Sequence, residues 1–347
     1  MSDMMLQEVM TAPGEITFRE IPIPEPGDDE VLIKMMKIGI CGSDIHVYHG
    51  THPYTSYPIT QGHEVSGKIA KLGKNVTKFK VGQMVTVEPQ VVCGECYMCK
   101  HGAYNECENL KVLGFQTTGA GSEYFAFKAS MVDAVPEGLT YSDAAMIEPL
   151  AVVVHAAKRI DLKGKKVCVL GTGPIGILLS QAVRAEGASE VMVTDVSDFR
   201  LELAKKVGAD YAINTAKEDF GEAVVRCFGH DKADVIFDCA GNDITMNQAI
   251  QNARKGTQII LVAVFGKMAN VDLAKLNDSE LILNTSMMYT HVDYIDAMRY
   301  VSEGKIQLRP LQTKHFPFKE FLQAYEYIDN NRETTMKVIV DVDDSEE

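Results

Sequence analysis

A glycine loop between an apolar strand and a helix constrains the fold of this chain more than any other feature. The run Lys166–Leu170 is rich in valine, and residues 177–182 have helical spacing. The loop between them is Gly171-Thr172-Gly173-Pro174-Ile175-Gly176. In such a loop the first glycine permits a tight turn, the second lets the backbone approach a pyrophosphate, and the third lets helix and strand pack closely. The pattern predicts a dinucleotide-binding unit that holds phosphate at the start of the helix, and an ordinary strand–turn–helix is the alternative.

An acidic residue stands where such a unit binds a ribose. A second apolar strand at 190–194 ends in Asp195, close to the ~20-residue spacing expected after the glycine loop. A carboxylate there binds the ribose 2′-hydroxyl and repels a 2′-phosphate, so it favours NAD over NADP. Arg200 is expected to pair with Asp195 or to face the adenosine side, although an arginine here could serve NADP. Further strands ending near Cys239 and at Val264-Phe265 should line the same crevice.

Composition narrows the class of protein. A chain of 347 residues with 46% hydrophobic and 24% charged residues is expected to be globular and to form two domains. The net charge of −14 argues against a nucleic-acid partner and an anionic membrane surface. Residues 1–5 lack the features of a signal peptide, so a cytoplasmic location is expected. The eight cysteines should then be thiols or metal ligands rather than disulfides.

Four cysteines are closely spaced in the first half of the chain. They are Cys93, Cys96, Cys99 and Cys107. Four thiolates at this spacing in a reducing compartment suit one tetrahedral zinc ion with no open position, which predicts a structural site. A redox-active Cys-x-x-Cys pair is the alternative, but it leaves the other two cysteines unexplained.

A second set of potential ligands is dispersed along the chain. Cys41 follows a strand, His63-Glu64 begins another, and Glu148 stands at the head of an apolar helix. Cysteine, histidine and glutamate can together bind zinc and leave one position open for water or substrate. Each residue taken alone has an ordinary structural interpretation, as a core thiol, a turn histidine or a helix-start carboxylate.

Together, these motifs make the chain resemble the zinc-dependent medium-chain dehydrogenases over essentially its full length. The matching segments are CGSDIH at 41–46, GHE at 62–64, the four-cysteine segment, IEPLAVVVHA at 147–156 and GTGPIG at 171–176. The sorbitol (polyol) and butanediol dehydrogenase branch is the most similar. The resemblance implies an α/β fold with a GroES-like, β-rich catalytic domain at 1–151, a Rossmann doubly wound parallel sheet at 152–288, and a return to the catalytic domain at 289–347.

The resemblance also implies roles for individual residues. Cys41 and His63 would bind the catalytic zinc, and the Glu64/Glu148 pair would supply the remaining protein ligand, with Glu148 favoured as the direct one in at least one state. Ser43 and His46 would carry the proton away from the alcohol, with Glu148 counted among the catalytic residues. The cofactor-binding residues would be Gly171, Gly173, Pro174, Ile175, Gly176, Asp195, Arg200, Val264 and Phe265. One catalytic zinc, one structural zinc and NAD are therefore expected in each chain.

The expected reaction is oxidation of a secondary alcohol of a polyol or vicinal diol to a ketone by a homodimer or homotetramer. Two departures limit the substrate prediction, because Met288 replaces an arginine and Val47 replaces a tyrosine of sorbitol dehydrogenases. Tyr48, Phe115, Gln116 and Tyr289 are candidate substrate contacts, although packing is the favoured role for each. A threonine-type amino-alcohol dehydrogenase and a non-catalytic zinc and nucleotide sensor remain alternatives.

Overall fold

The computed structural model describes residues 4–345, and residues 1–3, on which the signal-peptide prediction partly rests, lie outside them. The strands are β1 (Met4–Ala12), β2 (Glu15–Pro22), β3 (Glu30–Ile40), β4 (Glu64–Leu72), β5 (Met84–Val87), β6 (Gln90–Val91), β7 (Lys111–Val112), β8 (Tyr124–Lys128), β9 (Val132–Ala134), β10 (Lys166–Leu170), β11 (Glu190–Asp195), β12 (Tyr211–Asn214), β13 (Val235–Asp238), β14 (Gln258–Leu261), β15 (Ile282–Thr285), β16 (Gln312–Pro317) and β17 (Lys337–Asp341).

The α-helices are α1 (Gly42–Tyr48), α2 (Tyr97–Lys100), α3 (Tyr141–Ala145), α4 (Ile147–Ala157), α5 (Pro174–Ala185), α6 (Asp198–Lys206), α7 (Phe220–Phe228), α8 (Asp243–Asn252), α9 (Leu273–Asp278), α10 (His291–Ser302) and α11 (Phe321–Asn330). Short 3-10 turns lie at Tyr104–Glu106, Ala129–Met131, Arg309–Leu311 and Phe318–Glu320. None of the helices in residues 4–345 reaches the length and apolarity that crossing a bilayer requires.

The chain folds into two units, the first made of residues 4–149 and 312–345 and the second of residues 150–311. The first unit contains a seven-stranded sheet in which β16, β17, β3, β4, β5 and β9 lie side by side and β8 also pairs with β3. Its apolar core includes Ile33, Val65 and Val338 from three neighbouring strands. Strand β3 is therefore central, with β4 on one side and β17, from the end of the chain, on the other.

The second unit is a doubly wound sheet, which confirms the expected fold class. Its six strands are all parallel and follow the order β12-β11-β10-β13-β14-β15. The central strands β10 and β13 are almost wholly buried, as expected when helices cover both faces of a parallel sheet. This strand order places the carboxyl end of β10, where the glycine loop begins, at the topological switch point of the sheet.

The point at which the chain returns to the first unit differs from the expected one. The return was expected at Tyr289, whereas the structure has it at Gln312. Helix α10 stays with the second unit because its Asp293 accepts a hydrogen bond from His155 of α4 at 2.8 Å. An amphipathic helix has the same pattern whichever unit it packs on, so the sequence left this boundary undetermined.

Candidate functional site

Three potential metal ligands converge in the first unit. Cys41, His63 and Glu64 each offer one ligand atom, and these atoms lie within 4.8 Å of one another. His63 and Glu64 are buried, and Cys41 is half-buried. A thiolate, an imidazole and a carboxylate form a donor set that zinc accepts at catalytic sites.

Strand pairing brings these ligands together. Cys41 follows the last residue of β3 and precedes α1, while Glu64 opens β4 directly opposite Gly39 of β3. A Cβ atom on Gly39 would lie 2.3 Å from Glu64 Oε2, so only glycine leaves room for the carboxylate. The register therefore places His63 and Glu64 beside the end of β3, where Cys41 begins the next segment.

Asp44 connects two of the ligands. Its Oδ2 accepts a hydrogen bond from the Cys41 backbone N–H at 2.8 Å, and its Oδ1 lies 3.4 Å from His63 Nδ1. Within residues 4–345, His63 Nδ1 has no hydrogen-bond partner, so Asp44 is the carboxylate that faces this orphaned buried nitrogen. Burial lowers the pKa of His63, but the charges and polar contacts of Asp44 and Cys41 together outweigh it and raise that pKa well above the usual range. A metal-binding histidine needs such an acceptor at one nitrogen so that the other presents its lone pair.

A buried lysine neutralises Glu64. Lys337 Nζ donates to both carboxylate oxygens of Glu64 at 2.6 Å and to the Ile40 carbonyl at 3.2 Å. Lys337 stands on β17, so its side chain reaches across the end of β3 to β4. Burial lowers the pKa of Lys337, but the charges of Glu64 and Cys41 outweigh it and raise that pKa. The sequence prediction missed Lys337, although a lysine inside the apolar closing strand is an indication of a buried ion pair.

The other predicted ligand does not belong to this group. Glu148 stands in the first turn of α4 and is buried. The group of ligand atoms that the described residues bring within 4.8 Å contains Glu64 but not Glu148. The two glutamates therefore have different surroundings: Glu64 lies in the ligand cluster and is paired with Lys337, whereas Glu148 is not part of that cluster.

Ser43 and His46 lie on α1, next to Cys41. Ser43 is half-buried and His46 is exposed, with His46 Nδ1 3.3 Å from the Thr51 hydroxyl. The His46 carbonyl accepts the N–H of His52 at 3.1 Å, which brings a second histidine back towards α1.

His52 is a residue that the sequence prediction missed. Its ring stacks on Phe115 with a centroid distance of 4.8 Å and an interplanar angle of 17°. Phe115 in turn contacts the His63 ring at 4.9 Å. His52 Nδ1 is bonded to Thr55 Oγ1 at 2.7 Å. Since His52 belongs to no local motif, only the three-dimensional contact with Phe115 identifies it.

The candidate substrate contacts have different surroundings. Phe115 is buried between His52 and His63, and the Tyr48 ring lies 5.3 Å from that of Tyr325. Gln116 uses its side-chain oxygen to accept the Val112 N–H at 2.9 Å. Tyr289, in the second unit, is fully buried against Tyr294.

The four closely spaced cysteines form a compact cluster. Cys93 Sγ lies 3.5 Å from Cys107 Sγ and 3.9 Å from Cys99 Sγ. Thiolates bound at ~2.3 Å in a tetrahedron would be about 3.8 Å apart, so the spacing fits one zinc ion. Backbone N–H groups of Glu95 and Cys96 lower the pKa of Cys93 to about 6, which favours the thiolate form that binds zinc. The Cys96 sulfur likewise accepts the Cys99 N–H at 3.5 Å.

The glycine loop in the second unit has the geometry of an anion site at a helix start. Gly173 is the N-cap of α5, with Pro174 and Ile175 as the first helical residues. A Cβ on Gly176 would lie 1.8 Å from the Gly171 carbonyl oxygen, whereas a Cβ on Gly173 would meet nothing within 4 Å. Gly176 is thus required by packing, while Gly173 leaves open space in front of the helix N-terminus for a phosphate group.

Asp195 ends β11 and is hydrogen-bonded to the glycine loop. Its Oδ2 accepts the Thr172 N–H at 2.8 Å, and its Oδ1 accepts the N–H groups of Val196 and Ser197. Arg200 Nη1 lies 3.9 Å from Asp195 Oδ2.

The remaining predicted cofactor residues follow β14. Val264 is 92% exposed. Phe265 is partly buried and packs against the core of this unit. A strongly exposed apolar side chain after a strand of this sheet is consistent with a surface that a ligand covers.

Comparison with known proteins identifies both units. The family described as alcohol dehydrogenase GroES-like domain matches residues 27–137, and the family described as zinc-binding dehydrogenase matches residues 174–303. Sorbitol dehydrogenase of Bacillus subtilis is 33% identical over 342 residues, covering 97% of each chain. D-arabitol-phosphate dehydrogenase of Enterococcus avium is 35% identical over 338 residues, covering 95% of each chain.

A solved structure extends the likeness to the whole fold. The alcohol dehydrogenase RspB of Escherichia coli CFT073, in complex with NADH, superposes with a TM-score of 0.91 at 31% identity. The match covers 98% of this chain and 100% of that one. These matches confirm the resemblance seen in the motifs, and the chain belongs to the zinc-dependent medium-chain dehydrogenase family, whose members use zinc and a nicotinamide cofactor.

Proposed function

We propose that this protein oxidises a secondary alcohol of a polyol or vicinal diol to a ketone, with NAD as hydride acceptor. The observation that carries the proposal is the convergence of Cys41, His63 and Glu64 within 4.8 Å, beside Asp44. The donor set is the one zinc takes when it keeps a position open for a substrate. The similarity to sorbitol and D-arabitol-phosphate dehydrogenases supports a polyol or its phosphate as the substrate class.

The chain supplies ligands, orientation and proton transfer. A zinc ion bound at this cluster would lower the pKa of an alcohol, as it does that of water. Cys41 and His63 would hold the metal, with Asp44 fixing the imidazole so that Nε2 faces it. The Ser43 hydroxyl would take the alcohol proton, and His46, an exposed imidazole on the same helix, would receive it.

The two glutamates would have different roles. Glu64 gives both its oxygens to Lys337, which weakens it as a metal ligand, so we assign the direct contact to Glu148 and the exchangeable one to Glu64. Zinc content should then fall in Glu148→Gln and be nearly retained in Glu64→Gln. The reverse result would exchange the two assignments.

NAD rather than NADP is the cofactor we propose. The Asp195 carboxylate lies at the end of β11 beside the glycine loop, where its charge disfavours a 2′-phosphate. Pro174, Ile175, Val264 and Phe265 would complete the cofactor surface, with Arg200 bound to Asp195.

A second zinc ion at the four cysteines is also part of the proposal. The sulfur spacings of 3.5 and 3.9 Å and the low pKa of Cys93 support it. Such thiolates need a reducing compartment, which supports a cytoplasmic location.

We further propose a homodimer or homotetramer. Strand β15 is the edge of the six-stranded sheet, and its Ile282 and Leu283 are 47% and 40% exposed. An apolar sheet edge of this kind is suited to pairing with a second copy. Light scattering at several protein concentrations tests this, and a monomer at all of them would contradict it.

The experiment that tests the activity is NADH formation across a panel of substrates. The panel contains polyols, polyol phosphates, short vicinal diols and threonine, each assayed with zinc-loaded protein, with Cys41→Ser and after chelation. We expect turnover with at least one polyol or diol, which is lost in Cys41→Ser. Turnover with threonine alone would support the amino-alcohol alternative. No turnover by zinc-loaded protein would overturn the proposal and favour the sensor.

A further inference from the structure

A buried chain of hydrogen bonds runs from the last helix of the first unit to the metal-ligand cluster. The Tyr325 hydroxyl, on α11, donates to Gln61 Oε1 at 2.7 Å. Gln61 Nε2 donates to Asp44 Oδ1 at 3.1 Å, and the same oxygen lies 3.4 Å from His63 Nδ1. Tyr325, Gln61 and Asp44 are each at most 1% exposed, so the chain of bonds is closed to solvent.

The tyrosine holds the glutamine amide in the orientation that Asp44 requires. A side-chain amide has one accepting and one donating end; the Asp44 carboxylate only accepts and so takes the donating end, while the Tyr325 hydroxyl donates to the accepting end and anchors it. Were the amide reversed, its oxygen would face the Asp44 carboxylate and two acceptors would be in contact. The backbone of Gln61 is fixed independently, because its N–H donates to Glu8 Oε2 at 3.0 Å.

Both oxygens of Asp44 are thereby fixed. One accepts from the Cys41 backbone and the other from Gln61, so the carboxylate can neither rotate nor withdraw from His63. Removing a group that orients a metal-binding histidine typically lowers the metal affinity by ~10–100-fold. Here the orienting group, Asp44, is held through Gln61 by Tyr325, a residue near the far end of the chain.

We propose that Tyr325 is a positioning residue for the metal site, acting through Gln61 and Asp44 on His63. This inference rests on the proposed function, since it takes Cys41 and His63 as zinc ligands. It gives α11 a role in metal binding although α11 contributes no ligand.

The test measures zinc occupancy in zinc-buffered solutions at equilibrium for Tyr325→Phe and three controls. Cys41→Ser identifies the zinc that belongs to this site. Tyr327→Phe removes the same atom from the same helix, where the hydroxyl makes no hydrogen bond within residues 4–345. Tyr300→Phe removes a buried hydroxyl that donates to Glu186 in the second unit, and so controls for loss of an internal hydrogen bond.

We expect Tyr325→Phe to weaken zinc binding at this site about tenfold. Binding should stay within about twofold of the wild type in Tyr327→Phe and Tyr300→Phe. Zinc binding by Tyr325→Phe within about twofold of the wild type would overturn the inference, whether or not the variant is less stable. If Cys41→Ser itself loses no zinc, the proposed function fails instead, and the two failures are thus distinct.

A second variant keeps the test decisive if Tyr325→Phe does not fold. Tyr325→Phe combined with Gln61→Leu replaces both partners by apolar groups, so neither is left as an unpaired buried polar atom. This double variant still lacks the donor to Asp44, and we expect the same tenfold loss. A folded double variant with wild-type zinc affinity would contradict the inference.

Discussion

Lys337 Nζ and the Glu64 carboxylate form a bidentate ion pair, with both N–O distances at 2.6 Å, inside the first unit. Both side chains are at most 3% exposed, so neither charge can be solvated if the other is removed. Glu64 also belongs to the three-residue ligand cluster. The lysine would therefore compete with a metal bound at this cluster for the same carboxylate.

Replacing the lysine tests this competition. In Lys337→Met the buried charge of Glu64 loses its partner, which should cost about 3–5 kcal/mol in the free energy of unfolding of the metal-free protein. Zinc should recover part of that loss, because the released carboxylate can bind it and a ligand stabilises the state to which it binds. Urea unfolding followed by circular dichroism, with and without zinc, measures both effects.

Lys37→Met is the matched control for this prediction. Lys37 is as buried as Lys337 and pairs with Asp341 at 2.8 Å, away from the ligand cluster. Its loss should destabilise the protein equally with and without zinc. If Lys337→Met lowers the free energy of unfolding by the same amount with and without zinc, Glu64 does not bind the metal.

Substitution of Gly173 should affect cofactor binding without affecting packing. An added Cβ on Gly173 meets nothing within 4 Å and φ is −64°, so Gly173→Ala introduces no strain. Alanine is a poorer N-cap than glycine but restricts the unfolded chain more, so stability should change by less than about 1 kcal/mol. A methyl group in front of the α5 N-terminus should nevertheless raise the NADH dissociation constant at least tenfold, by blocking the approach of the pyrophosphate. Fluorescence titration with NADH measures the dissociation constant. An unchanged value would show that the pyrophosphate does not bind in front of Gly173.

Gly176→Ala provides the contrast. Its Cβ would overlap the Gly171 carbonyl, so stability and NADH affinity should fall together. The comparison distinguishes a glycine that a ligand requires from one that the fold requires.

The parts of the site predicted from sequence are those whose residues are close together in the chain. The glycine loop and the cysteine segment each fit within about twenty residues, so strand, turn and ligand spacing can be read directly. The dispersed candidate ligands Cys41 and His63 are recognisable only because short motifs surround them.

The parts that were missed depend on contacts between distant segments. Lys337 is 273 residues from Glu64, and Tyr325 is 264 residues from Gln61. Their pairing depends on β17 lying beside β3 and on where α11 packs, which no local pattern specifies. His52 was missed for a related reason, because its stacking on Phe115 is a tertiary contact.

Cofactor choice should depend on Asp195. In Asp195→Ser the charge that repels a 2′-phosphate is lost and Arg200 is released from its ion pair, so discrimination should shift towards NADP by at least tenfold. The ratio of kcat/KM for NAD to that for NADP is the measurement. Asp198→Ser is the control, because this exposed carboxylate pairs with Lys217. An unchanged ratio in Asp195→Ser would contradict the NAD assignment.

Removing one sulfur from the cysteine cluster should release one zinc ion and leave the dinucleotide unit intact. We expect Cys107→Ser to lower the zinc content from the proposed two ions to one per chain and to expose residues 92–111 to proteolysis, because a metal bound here would fix this segment. NADH binding should be unchanged. Cys227→Ser, a half-buried thiol of the second unit, should keep both ions. Full zinc content in Cys107→Ser would refute a four-cysteine site.

Glu8 should make the stability of the first unit depend on pH. Burial raises the pKa of this β1 carboxyl to about 8, so the folded state keeps a proton that the unfolded chain releases near pH 4. The unfolded state is therefore favoured as pH rises, and the stability present below pH 4 is lost progressively up to about pH 8.

Glu8→Gln mimics the protonated form, so it should exceed the wild type in stability at pH 8 by about 4 kcal/mol and match it near pH 4. Glu123→Gln is the control, because Glu123 also accepts a backbone N–H, that of Leu6 at 2.7 Å, but is only half-buried. Parallel pH profiles of unfolding for Glu8→Gln and the wild type would show that Glu8 is ionised in the folded protein.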